Sequence, residues 1–79
     1  MDISSEINNF CRNIYLLRIF KNLSVGQMAR ILKIQPQTLE LLEKGILSEE
    51  VTVEILFGIQ NNFHIKPSQM FSDWNIPYH

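Results

Sequence analysis

Gln35, Gln37 and Thr38 place two amides and a hydroxyl within four residues, and Ser24, Lys33 and Lys44 flank them with a second hydroxyl and two positive charges. Such groups recognise a polar surface by donating and accepting hydrogen bonds. Breaking a covalent bond asks for more: a nucleophile beside a base, paired carboxylates, or a bound metal. No serine, histidine and acid can be grouped here, and Glu49-Glu50 is the one carboxylate pair that falls on a shared surface. His64 has no second histidine, cysteine or carboxylate at ligand spacing, so no metal site is expected. Three glycines in the chain leave little room for a loop that cradles a phosphate. The expectation is a binding protein without a cofactor, not an enzyme.

The chain has 79 residues, enough for one domain. A fold of this size buries only about 60% of its unfolded surface. With 46% hydrophobic and 19% charged residues, its composition is that of a globular protein. No apolar run approaches the ~20 residues of a membrane span, and no basic start with a small-residue cleavage site marks a leader. Cys11 is the single cysteine, which excludes an internal disulfide and suits a reducing cytoplasm. The net charge of −1 does not by itself favour a nucleic-acid partner.

Apolar spacing gives the elements that position these groups. A first helix is expected from about Ser5 to Asn22, capped by Ser4 or Ser5, with Glu6 near its positive end. Ile7, Phe10, Cys11, Ile14 and Leu17 form a core-facing stripe at helical spacing. Leu16, Ile19 and Phe20 form a second stripe, to be covered by the chain's own tail or by a second subunit. Ser24 and Gln27 have the spacing of a capping box, which starts a second helix bearing Met28, Ala29, Ile31 and Leu32. Pro36 suits the first position of a third helix, Leu39 and Leu42 point inward, and Gly45 can end it with positive φ. Ala29 lies where these two helices approach most closely.

After a loop from Ile46 to Val51, Thr52 reads as the cap of a fourth helix running to about Asn62. Val53, Leu56, Ile59 and Phe63 are its expected core positions, and Gly58 with Gln60 softens it. A short fifth helix starts near Pro67, with Met70 and Phe71 closing the core. The domain is taken as residues 1–71, followed by an apolar tail over 72–79. Trp74 and Ile76 are expected against the second stripe of the first helix, in the same chain or a partner's.

The stretch 23–45 resembles the helix-turn-helix of the phage-repressor (Xre or Cro-like) family. Leu23, Ser24, Met28, Ala29, Leu32, Ile34, Thr38, Leu39, Glu43 and Gly45 fall in register with that family's usual run. The resemblance extends from about Ile14 to Phe71. It implies an all-α, five-helix, lambda-repressor-like DNA-binding domain with the helix-turn-helix at helices two and three. It also implies an ion pair between Arg18 and Glu43, and a small regulator of transcription, such as a repressor, that binds double-stranded DNA as a dimer. Lys33 stands where the family prefers glycine.

On that reading the helix over residues 36–44 enters the major groove. Gln35, Pro36, Gln37, Thr38 and Leu41 lie on its outward side, with Lys44 at its end. Gln37 can read adenine through two hydrogen bonds, and Thr38 can donate to a phosphate or touch a thymine methyl. Ser24 would present its hydroxyl to the backbone. A symmetric dimer would span two half-sites about 34 Å apart. Some residues depart from the family pattern. Val25 and Leu41 replace polar residues, and the following loop carries Glu49 and Glu50 where basic residues are common. The alternative is therefore a fold reused for contact with a protein partner, as an antirepressor or adaptor, through Val25, Leu41, Ile46 and Leu47.

Overall fold

The computed structural model describes residues 3–73, which contain five helices and no strand. These are α1 (Ile3–Phe20), α2 (Val25–Leu32), α3 (Pro36–Glu43), α4 (Val53–Phe63) and α5 (Pro67–Met70). Each supplies a narrow apolar stripe to one shared core. Ile14 and Leu17 of α1, Met28 of α2, Leu39 and Leu42 of α3, Ile59 of α4 and Met70 of α5 are completely shielded from solvent. Ala29, also buried, faces this core from α2, and its small side chain suits the close approach of α2 to α3.

The joints between helices are set locally. Ser24 and Gln27 form a reciprocal capping box: Ser24 Oγ accepts from the Gln27 N–H at 3.1 Å, and Gln27 Oε1 accepts from the Ser24 N–H at 2.8 Å. At the other end of α2, Lys33 adopts a left-handed backbone at φ 61°. This lets the Ile34 N–H donate to the Ala29 carbonyl at 3.0 Å, closing the helix. Gly45 does the same for α3 at φ 91°, with the Ile46 N–H donating to Leu41 at 2.9 Å. Asn22 and His64 take the left-handed conformation at two further joints, and both residue types tolerate it better than most.

A polar contact ties the end of the described chain to its beginning. Asn13 is fully buried on α1, and its Nδ2 donates to the Met70 carbonyl at 2.9 Å and the Ser72 carbonyl at 3.0 Å. Asn9 Nδ2 donates to the Phe71 carbonyl at 3.3 Å, and the Phe71 ring stacks on Phe10 with centroids 5.0 Å apart. These bonds satisfy the carbonyls left over at the end of α5, a helix too short to satisfy its own.

Several sequence expectations are corrected. α1 covers Ile3–Phe20, so Ser4 and Ser5 lie inside it and neither is its cap; Lys21 and Asn22 already belong to the turn. Val53 is 64% exposed, and Ile55 takes the core position expected of it. Ile55 and Ile59, four residues apart, share the inward face of α4, which leaves Val53 on the outward side of the first turn, next to the Thr52 cap, whose hydroxyl accepts from the Glu54 N–H. Ile7 is only half-buried, at the edge of the core. α3 ends at Glu43, leaving Lys44 just beyond it.

Candidate functional site

The chemistry-bearing residues gather on and around α3, so what holds that helix in place matters first. Its inner side is fixed by Leu39 and Leu42. Its C-terminal end is held by a two-pronged ion pair: Arg18 Nε meets Glu43 Oε2 at 2.7 Å, and Nη2 meets Oε1 at 3.1 Å. Arg18 Nη1 also donates to the Leu23 carbonyl at 3.1 Å, so one guanidinium links α1, the start of the α2 segment and α3. The hydrogen bond with Glu43 holds the Arg18 guanidinium above its usual pKa, outweighing an opposing push from burial. Both side chains are largely shielded, with 13% and 9% exposure, so the pair is screened little by solvent. The Tyr15 ring lies beneath the guanidinium at 5.5 Å from its centroid.

The outer side is open. Gln35, Pro36, Gln37 and Glu40 are exposed, Leu41 is 38% exposed, and Thr38 is half-buried. Lys33 and Lys44 are exposed at the two ends of this surface, and the capping pair Ser24 and Gln27 is exposed at the start of α2. The structure therefore gathers Pro36, Gln37, Thr38 and Leu41 on one helix, with Gln35 immediately before it and Lys44 immediately after it.

Sequence reading missed what sits over the N-terminus of α3. Gln35 is the N-cap residue, but its own side chain makes no capping bond. The Glu50 carboxylate does so instead: its Oε1 accepts from the Gln35 N–H at 3.2 Å and from the Thr38 hydroxyl. The loop before α4 thus delivers an acid to the positive end of α3, a favourable place for it. Capping signals are read within about three residues of the helix start, and Glu50 lies fifteen residues past Gln35. No local pattern points to it. Its presence adds a second negative charge to Glu40 on a face whose cations are Lys33 and Lys44.

Two further surfaces flank this region. Leu16 and Phe20 of the second α1 stripe are half-buried, and Ile19 is 48% exposed; their expected partners Trp74 and Ile76 lie outside the described residues. Ile7, Phe10, Leu47, Val51, Val53 and Phe71 line an apolar groove of about 300 Å³. Among the described residues no group of three or more histidine, cysteine or acidic side chains could hold a metal ion. No described helix is long and apolar enough to cross a membrane. Compared with known proteins, the chain matches no family model, no curated protein and no solved structure.

Proposed function

We propose that the protein is a small regulator of transcription that binds double-stranded DNA, with α2 and α3 as a lambda-repressor-like helix-turn-helix. The observation that carries this reading is the asymmetry of α3. Behind, it is fixed by Leu39, Leu42 and the Arg18–Glu43 pair; in front, Gln35, Pro36 and Gln37 are open to solvent. A rod held from one side and bare on the other suits insertion into a major groove. Gln37 reads adenine, Thr38 and the Ser24 hydroxyl meet the sugar-phosphate backbone, and Lys33 and Lys44 supply the nearby positive charge. Reaching Thr38 requires Glu50 to yield the hydroxyl it now holds.

Phosphate contacts supply most non-specific affinity, and this face offers few. Binding by one copy is therefore weak and only shallowly dependent on salt, and a dimer on two half-sites about 34 Å apart compensates. The test is selection from random duplexes at low salt, with the Gln37→Ala variant in parallel. A palindrome enriched by the natural chain and lost in the variant supports the reading; recovery of random fragments alone overturns it.

A second reading, contact with a protein partner, draws on one specific observation. An acid caps the end of α3 that would face phosphates, while Leu41 on α3 and Ile46 and Leu47 past its other end expose apolar area. Apolar area of this kind marks partner surfaces when it is contiguous. The same selection separates the two, because this reading predicts no enriched duplex at any salt concentration.

A further inference from the structure

α1 packs on α3 and α5, and α4 packs on α2 and α5. Between the N-terminal halves of α1 and α4 lies the apolar groove of about 300 Å³. Phe10, only 4% exposed, is its innermost residue, while Leu47 and Val53 stand exposed at its mouth. Among the described residues that line it none is charged, and Thr52 is the single polar member. The Thr52 hydroxyl oxygen accepts from the Glu54 N–H at 3.3 Å, which leaves the hydroxyl proton to donate. No described group accepts it.

These features define an occupant. An ion would exchange its water for aliphatic walls with no charged partner, so the molecule is uncharged. An apolar cavity of about 150 Å³ suffices for benzene, and the space here is about twice that. At the roughly 30 Å³ that one water molecule takes up in the liquid, it suits about ten non-hydrogen atoms. A broad protein surface fits less well. Ile46 and Phe57, the neighbouring exposed apolar side chains, lie outside the groove, and a flat patch would not reach Phe10.

The groove also adjoins a lever. Leu47, Val51 and Thr52 belong to the loop between α3 and α4, and Glu50 of that loop caps α3 through the Gln35 N–H and the Thr38 hydroxyl. A molecule packed against Val51 restrains the backbone that carries the cap one residue away. We propose that this groove binds an uncharged, mainly apolar small molecule with one hydrogen-bond acceptor for Thr52, and that binding is transmitted to the start of α3 through Glu50. The site stands whether or not α3 reads DNA.

Acetophenone, an uncharged ring of this size with one carbonyl oxygen, is the probe, and benzoate, the same ring with a negative charge, is its counterpart. The full chain, isotope-labelled, is titrated with each and followed by nuclear magnetic resonance. Acetophenone should give saturable methyl shifts at Ile7, Val51 and Val53, half-complete at about 1 mM or below, as the affinity per atom of small ligands allows. Benzoate should give none. Nuclear Overhauser contacts should run from the bound ring to the same methyls, and the Gln35 and Thr38 amides should shift with the same half-point. Val53→Glu, which sets a charge at the mouth, should weaken binding roughly tenfold or more, whereas Phe57→Ala leaves it unchanged. Should Val53→Glu fail to fold, the contacts in the natural chain still decide. Shifts that never saturate, or an equal response to benzoate, overturn the site. So do contacts in the free protein that set another segment, or a second copy, against Ile7 and Val53. Saturation at the groove with Gln35 and Thr38 unmoved overturns the transmission to α3.

Discussion

The segment from Ser24 to Gly45 and the segment from Ile46 to Phe57 are neighbours in sequence and opposites in construction. In the first, the structure is fixed by short-range devices: a capping box, a proline start, and left-handed closures at Lys33 and Gly45. Its large apolar side chains divide sharply, with Met28, Leu32, Leu39 and Leu42 buried. In the second, Ile46, Leu47, Val53 and Phe57 are each about half or more exposed. Apart from Leu41, the first segment turns its large apolar residues toward the core; apart from Ile55, which is fully buried, the second leaves most of its own at or near the surface and makes its main polar contact at a distance, through Glu50. Where local signals and burial agree, a position for a side chain is over-determined; where they do not, the surface is left free for another task.

The sharpest way to break this contrast is at the ion pair that fastens the first segment to α1. Glu43→Ala leaves Arg18 with its charge largely shielded and its main partner gone. We expect a loss of about 3 kcal/mol, the lower end for a buried pair because the edge of this one still meets water. Urea unfolding reads it as a lower midpoint with an unchanged slope. The double variant Arg18→Met with Glu43→Leu should be less damaging than Glu43→Ala alone, because it removes the stranded charge as well.

The same contrast explains what could be read from the sequence. α2 and α3 were legible because their start and stop signals lie within a few residues of the ends they control: Ser24 with Gln27, Pro36, Gly45. The buried faces of α1 and α3 followed from spacing alone. What escaped was non-local. Asn13 reads as an ordinary polar residue on a helix, yet it is fully buried, and it is held there by carbonyls more than fifty positions away. Glu50 reads as a solvated loop acid, and its helix cap appears only when the loop folds back. Val53 was misplaced for a subtler reason. A short helix with apolar residues at positions 53, 55, 56, 57 and 59 offers several possible faces, and packing against α2 and α5 decides among them.

A smaller effect, of opposite sign, belongs to α4. Gly58 lies in the middle of this helix, where glycine costs about 0.5–1 kcal/mol relative to alanine. A Cβ there would meet Leu32 Cδ2 at 3.7 Å and the Ile31 carbonyl at 3.8 Å, ordinary packing distances. Gly58→Ala is therefore expected to stabilise by roughly that amount, raising the urea midpoint. A destabilised variant would mean that the α2–α4 contact is tighter than these distances imply.

Glu50 tests the bridge between the two segments. Replacing it with glutamine keeps an oxygen that can accept from Gln35 and Thr38 but removes the charge. On the DNA-binding reading, deleting one negative charge about 7 Å from a phosphate in water is worth roughly 0.6 kcal/mol, about threefold in affinity. Titration of a labelled duplex at low salt should show that tightening, and it should fade as salt is raised. Unchanged affinity at low salt would place Glu50 too far from the bound backbone to matter.

The smallest expected effect is the most pointed about the second segment. Val53 reads as a core residue from spacing, and an acid in a core would cost several kcal/mol unless it were neutralised. The observed position is exposed and is the first residue of α4, next to the Thr52 cap. A carboxylate in the first turn of a helix is favoured by about 0.3–1 kcal/mol at surface exposure. In Val53→Glu that gain is offset by repulsion from the adjacent Glu54 and by lost contact at the groove rim, so the net change in unfolding free energy should fall within about 0.5 kcal/mol. Loss of folding in this variant would return Val53 to the core and shift the phase of α4 with it. Near-neutral behaviour, beside the large cost of Glu43→Ala, would show that exposed apolar side chains in this segment contribute little to the stability of the fold that carries them.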